Sequence, residues 1–293
     1  MKNKDWIAFI ILGLIWGSSF LWIKIAVSET SPLLLVAFRL LFGILSSAVV
    51  VLYTRTSLKL DRRMWLVLTF IGVTNNAIPY LLISWGETHI DSAVAAILNS
   101  TTPLFTMLIA HFFLHDDRLT LSRLAGLLIG FAGIVILVSR DLVPGSLGLH
   151  PGPALLGQAA VLLASLSYAF SSVYARRTTK GLTPVVQGLV PLLGSDAVLW
   201  ALVFTTEAPL KLPILPLTWI AIIWLGVMGV CVAFLLYFYL LHSVGPTRTV
   251  LVTYVFPLMG VALGVIFLKE TLDWHLVAGG ALIVGSIVVV NRR

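Results

Sequence analysis

Residues 216–241, PLTWIAIIWLGVMGVCVAFLLYFYLL, run without a single charged side chain. A helix rises about 1.5 Å per residue and the hydrocarbon core of a bilayer is about 30 Å thick, so roughly 20 apolar residues cross it. This stretch is long enough to span. An earlier stretch, residues 64–85, MWLVLTFIGVTNNAIPYLLISW, carries the same landmarks: Trp65-Leu66 and Gly72-Val73 stand 154 residues before Trp219-Ile220 and Gly226-Val227. The correspondence continues outward. Pro103-Leu104 precedes Pro257-Leu258, and Phe113-Leu114 precedes Phe267-Leu268, by the same 154 residues. Ser31-Pro32 and Lys24 precede Thr183-Pro184 and Arg176 by 152. Asp117 precedes Glu270 by 153, each with Leu two residues on and Gly nine residues on (Gly126, Gly279). Small changes of offset are loop insertions and deletions. The chain reads as two copies of one unit.

Composition names the solvent. Of 293 residues 59% are hydrophobic and 11% charged, with a mean hydropathy of +1.04. Soluble domains run at about 45–50% apolar and about 25% charged, so this surface suits lipid. Apolar segments fall at about 6–26, 33–53, 64–85, 91–114, 121–139, 153–175, 183–206, 216–241, 245–268 and 274–291. In lipid, backbone polar groups must be satisfied within the segment or in a closed barrel. These runs are too long and too evenly apolar for alternating barrel strands. They predict helices, and the first reads as a span rather than a cleaved leader, because no small-residue cleavage site follows it. Ten spans and their turns leave no stretch for a soluble catalytic domain.

The net charge of +7 is read as membrane orientation rather than nucleic-acid binding, since basic loops stay on the cytoplasmic side. With the N-terminus inside, Lys2, Lys4, Arg55, Lys59, Arg62, Arg63, Arg118, Arg123, Arg176, Arg177, Lys180, Arg248, Arg292 and Arg293 are internal. Lys24, Arg140, Lys211 and Lys269 are external, and Arg39 lies within a span. Both termini are expected in the cytoplasm and the chain in the cell membrane. Five helices per copy is an odd number, so the second copy (143–293) enters inverted relative to the first (1–142). The fold class expected is an all-α integral membrane protein with ten transmembrane helices as two inverted five-helix repeats. Inverted repeats of this kind belong to transporters that expose a site to alternate sides.

Particular residues also resemble a known family. The stretch Leu14-Ile15-Trp16-Gly17-Ser18-Ser19-Phe20, Arg39, the Asn99 to Pro103 stretch, and Phe113-Leu114-His115-Asp116-Asp117-Arg118-Leu119 resemble the drug/metabolite transporter superfamily of EamA type. Phe267-Leu268-Lys269-Glu270-Thr271-Leu272 repeats the last pattern. The resemblance implies ten helices around a central cavity, helices 5 and 10 set back from it, and export of metabolites or amino acids.

Polar groups at membrane depth are costly and need a partner or a wet cavity. Arg39 lies about 10 Å and Asp196 about 15 Å below the outer surface at 1.5 Å per residue, which suggests an ion pair or a shared cavity wall. A purely structural salt bridge is the alternative. Asn75 and Asn76 sit near the midplane with Pro79 one turn on. Asn99, Thr102 and Thr106 share a helical face. These side chains could bind a polar solute or bridge packed helices for about 1 kcal/mol each. Trp16, Ser19 and Phe20 in the first segment, Tyr168 at the position equivalent to Trp16, and Thr253 with Tyr254 beside it complete the candidate pathway. Such a lining suits an amphipathic solute. Trp6, Trp65, Trp219 and Trp274 read as interfacial anchors. Pro103 and Pro257, about twelve residues into segments 4 and 9, are candidate hinges, with a static kink as the other reading. Gly126 and Gly130, and Gly279, Gly280 and Gly285, offer close packing of segments 5 and 10 or a dimer seam. Glu87 and Asp91 flank the outer turn between segments 3 and 4 and are expected to be solvated, with a part in gating as the other reading for Glu87.

The single cysteine, Cys231, excludes a disulfide framework and a Cys-based metal site. There is no phosphate-binding Gly-rich loop, HExxH or GxSxG. The expectation is no enzyme, no cofactor, no metal and no nucleic acid. The partners expected are the lipid bilayer and a small-molecule substrate, with protons as a candidate coupling ion and the chain as monomer or homodimer. An intramembrane enzyme, a scaffold and a channel are the competing readings.

Overall fold

The computed structural model describes residues 2–55, 60–113, 120–139, 152–245 and 249–291. The 114–119 acidic pattern, the boundary at 142/143 and several of the basic loop residues (Lys59, Arg140, Arg248, Arg292, Arg293) lie outside them. Among the described residues every regular element is helical. In chain order these are α1 Asn3–Val27, α2 Pro32–Thr54, α3 Arg62–Gly86, α4 Ser92–Phe113, α5 Leu121–Ser139, α6 Pro153–Thr178, α7 Pro184–Thr206, α8 Pro216–Val244, α9 Leu251–Leu268 and α10 Trp274–Asn291. Eight of them are long and apolar enough to cross a membrane, while α5 and α10 carry shorter apolar stretches, Leu124–Ser139 and Trp274–Val289. This is a multi-pass membrane protein. The ninth helix starts later than the 245 expected, because Gly245 adopts a φ of 85°, which ends α8 in a turn.

Local chemistry explains the starts. Ser31 and Thr183 each cap the helix that follows, accepting from the amides of Leu34 (3.0 Å) and Val186 (3.4 Å). The proline after each cap occupies a first-turn position where its missing N–H costs nothing.

Four of the helices are interrupted or modified near their middles, and a fifth at its start. The first, α1, breaks at Gly17/Ser18, where the Ser18 and Ser19 hydroxyls both donate to the Ile15 carbonyl. Residues Val73–Ala77 of α3 and Trp224–Val232 of α8 are π-helical, and the two stretches overlap at the 154-residue offset. The fourth helix breaks at Ser100–Thr101, and a 3-10 segment, Val250–Tyr254, opens α9. Pro103 and Pro257 therefore fall in the first turn of the resumed helices, not within an unbroken one.

The strongest helix pairing is α5 against α10, with Gly133 and Gly279 each facing the other's carbonyl. Gly130 meets Leu104 and Ser286, whereas Gly285 faces open space. Elsewhere α3 packs on α6 and α7, α2 on α7 and α8, and α4 on α6 and α9. A Cβ on Gly72 would overlap the Pro191 carbonyl, and one on Gly260 would overlap the Ala96 side chain. Glycine is what permits the α3–α7 and α4–α9 approaches.

Candidate functional site

A cavity of about 620 Å³ lies among α1, α2, α3, α4, α6, α8 and α9. Among the described residues, none of α5, α7 or α10 lines it. Of the sequence-predicted pathway residues, Trp16, Ser19, Phe20, Arg39, Asn75, Asn99, Thr102, Tyr168 and Thr253 line the wall, as does Pro103. Its other lining residues include Ile23, Tyr80, Ile83, Thr106, Ser172, Phe234, Tyr237 and Phe256.

The interrupted helices supply the geometry. The π-helical stretch of α8 leaves the Gly229 carbonyl to accept from the Trp16 indole N–H at 3.1 Å. That bond holds Trp16 among Phe234, Tyr237 and Phe256, with ring centroids 6.4, 5.7 and 5.9 Å away. Spacings of this kind favour edge-on and tilted aromatic contact. Serines on α6 brace the irregular parts of α3 and α4. Ser167 donates to the Thr74 carbonyl at 2.6 Å, and Thr74 donates to the Ser171 hydroxyl at 3.1 Å. Ser165 reaches the Leu98 and Asn99 carbonyls at the α4 break, at 3.3 and 3.4 Å. Irregular backbone at membrane depth is tolerated where protein satisfies it or a cavity adjoins it.

Arg39 is 4% exposed. Its guanidinium carbon lies 3.7 Å from the centroid of the Tyr80 ring. No ion pair with Asp196 forms. Asp196 is buried on α7 outside the cavity, its polar neighbour is the Trp200 side chain, and its Oδ1 has no hydrogen-bond partner. Two more expected pathway residues stand outside the lining. Asn76 is buried and its Oδ1 accepts from Asn75 at 3.4 Å. Tyr254, turned by the 3-10 winding of its segment, donates to the Ile287 carbonyl of α10 at 2.8 Å. Pro257 is buried and does not line the cavity either.

The two ends of the cavity differ. At the end where α4 begins, Ser19, Phe20, Ile23, Arg39, Tyr80 and Ile83 are all buried. Toward the end where α4 finishes, Thr102, Thr106 and Tyr237 are partly exposed and Ser172 is exposed. Polar links close the buried end. The Glu270 carboxylate accepts from the Ser92 and Ala93 amides at 2.7 and 3.0 Å. Glu29 accepts from the Ile214 and Leu215 amides and from the Thr218 hydroxyl. Both carboxylates sit at helix N-termini, where the dipole favours negative charge. Ser31 donates to Glu207 at 2.7 Å. The Lys24 ammonium donates to the Glu87 and Ile90 carbonyls at 2.6 and 2.7 Å. The Thr218 hydrogen bond, helped by the Leu215 and Ile214 amides, holds the Glu29 carboxyl below its ordinary range against the opposing effect of desolvation. Glu87 is the reverse. It is fully buried in the α3–α4 connection, neither carboxyl oxygen has a hydrogen-bond partner, and burial pushes it well above the usual carboxylate range.

Tyr80, Ile83, Phe234, Tyr237 and Ser172 were not singled out from the sequence. The repeat itself carried the signal: Tyr80 and Phe234, and Ile83 and Tyr237, are 154 apart, while Phe20 and Ser172 are 152 apart, and every member lines the cavity.

Compared with known proteins, the chain matches the EamA-like transporter family twice, over residues 5–139 and 155–292. It belongs to that family. Among relatives of this EamA-like protein is the "Uncharacterized inner membrane transporter YedA" of Escherichia coli K12, 31% identical over 96% of this chain and 89% of the relative. An "Uncharacterized transporter" of Archaeoglobus fulgidus is 24% identical over 99% of each chain. A crystal structure of a protein 21% identical superposes with a TM-score of 0.70 over 99% of this chain and 98% of that one, which shows a shared fold.

Proposed function

We propose that this EamA-like protein carries a small amphipathic solute, such as an amino acid or related metabolite, outward across the cell membrane by alternating access. The observation that carries the reading is the cavity wall. It is built from sequence-equivalent positions of both family matches, dressed with amides, hydroxyls and aromatic rings, buried at one end and progressively exposed toward the other. In this reading ten helices span as two inverted five-helix units, residues 1–142 and 143–293. Pro103 and Pro257 begin the segments that swing, and Asn75, Asn99, Thr102 and Thr253 meet the solute's polar groups. Both termini face the cytoplasm by the distribution of Lys and Arg, so the cavity as it stands loads from inside. The chain performs no covalent chemistry.

Purified protein in liposomes tests this. Preloaded unlabelled solute should drive uptake of labelled solute above equilibrium (counterflow), and the flux should saturate. Flux that never saturates, or no counterflow with any metabolite of a broad panel, overturns the proposal. Cysteine labelling at positions 2 and 150 from opposite faces checks the inverted arrangement.

A further inference from the structure

Arg39 is a buried cation with no paired anion among the described residues. It lies in the seventh turnward position past the α2 start, about 10 Å deep at 1.5 Å per residue, and is 4% exposed. A guanidinium stays charged at any relevant pH, and an unpaired charge at such depth is expensive. Yet Arg39 makes no hydrogen bond or ion pair among the described residues, and its buried Nε has no acceptor. Its one directed interaction is with the face of Tyr80. A cation over a ring face gains part of what it needs but leaves the N–H edge of the fork unused.

No acid among the described residues forms a hydrogen bond or ion pair with Arg39. Glu270 caps α4 and Glu29 caps α8. Asp196 faces away from the cavity beside Trp200. Glu87 feels the guanidinium charge only at a distance, behind the stronger effects of its burial and of Lys24, and makes no hydrogen bond to it. Arg39 is also the one charged residue of the described lining. The rest of the wall offers uncharged polar groups and the Trp16, Phe234, Tyr237 and Phe256 rings.

We propose that the cavity recognises an organic carboxylate, with the Arg39 guanidinium clamping its planar anionic end and the aromatic cluster around Trp16 receiving its apolar body. The planar fork matches a carboxylate in two parallel hydrogen bonds. One cation neutralises a monoanion, whereas a phosphate dianion would leave a net negative charge in a largely apolar chamber. The inference rests on the reading of this cavity as a solute site, and it assigns that site a substrate charge.

The test uses the full-length protein in nanodiscs and matched probes that differ only at one end. Phenylacetate, phenylacetamide and phenethylammonium form one set; the corresponding indol-3-yl and isobutyl compounds form two more, with phenylphosphate as the dianion. Binding is read from tryptophan fluorescence and thermal stabilisation. In at least one set the carboxylate should bind about tenfold or more tightly than its amide and ammonium partners, the scale of one charge-assisted bidentate contact. That preference should vanish in Arg39→Gln and be partly kept in Arg39→Lys. No carboxylate preference in any set, a preference for the ammonium compounds, or tighter binding of phenylphosphate overturns the inference, as does a preference undiminished in Arg39→Gln. Because the wild-type comparison needs no variant, a misfolded Arg39→Gln protein leaves the test intact. The two proposals fail separately: a carboxylate that binds in this way but shows no counterflow in liposomes overturns transport alone, and saturable flux of amides or amines in preference to carboxylates overturns the charge assignment alone.

Discussion

The end of the bundle where α4 begins and the end where it finishes are held by different forces. At the first, Glu270, Glu29 and Ser31–Glu207 join one family match to the other through charged hydrogen bonds, and Trp22 stacks obliquely on Trp224 at 5.7 Å. At the second, the described polar link between the matches is Asp5, which accepts from Ser243 at 2.6 Å and Tyr239 at 3.1 Å near the rim. Toward that end the cavity wall carries aromatic contacts around Tyr237 and is partly exposed. Directional bonds release all at once when their partners move apart, while ring contacts slide. In the alternating-access mechanism proposed above, the first end acts as a latch and the second as a compliant mouth.

Four substitutions probe that contrast, three read by maleimide labelling of Ile23→Cys in a Cys231→Ala background from the latched side and one, Glu29→Gln, by thermal midpoint. The largest effect belongs to Glu270→Ala. It removes two charge-assisted bonds of about 1.5–3 kcal/mol each, and every 1.4 kcal/mol is tenfold, so labelling should accelerate by at least an order of magnitude. An unchanged rate would mean the latch lies elsewhere. Next comes Glu87→Gln. A carboxyl raised by burial keeps its proton in the closed form at pH values where a solvated one loses it, above about 4.3. The closed form is thus favoured as pH falls and weakened as pH rises toward the elevated value. Normalised at each pH to the rate of a fully exposed reference cysteine, which removes the thiol's own titration, wild-type labelling should speed up between pH 5 and 8 (the assay window), and the glutamine variant should show a flat profile near the slow limit. A slope that survives in Glu87→Gln assigns the titration to another group.

Glu29→Gln should act more weakly, since its carboxylate is more accessible. Its depressed value means the stabilisation is present at neutral pH and is lost as pH falls through and below the ordinary carboxylate range. The gap in thermal midpoint between wild type and variant should narrow on acidification; a gap that widens contradicts the assignment. Smallest of all is Tyr239→Phe at the open rim, where labelling from the latched side should stay within about twofold of wild type, the scale of a surface substitution. A large change there would erase the distinction between the ends.

Much of this was legible in the chain. Uncharged runs such as 216–241 marked the helices, and the Ser31-Pro32 and Thr183-Pro184 pairs marked two of their starts. The 154-residue spacing foretold a cavity wall in which Asn99 faces the same space as Thr253. Legibility stopped where direction mattered. Arg39 and Asp196 lie at similar depth, yet an ion pair was the wrong reading, because α7 packs behind α2 and α3 and depth says nothing of azimuth. Tyr254 adjoins Thr253, but the 3-10 winding of its segment sends it to α10. The π-helical stretches, which free the Gly229 carbonyl for Trp16, have no composition of their own.

By itself, then, the amino-acid order settled the solvent, the helices and the duplication, because burial in lipid and helical propensity act over windows of neighbouring residues. Which carboxylate caps which helix, and which cation is left without a counter-ion, was decided by the packed structure alone. Glu270 finds its amides 178 and 177 residues away and Glu29 its own 185 and 186 residues away. Contacts of that separation depend on how whole helices turn about their axes, a property of the assembled bundle and not of any segment within it.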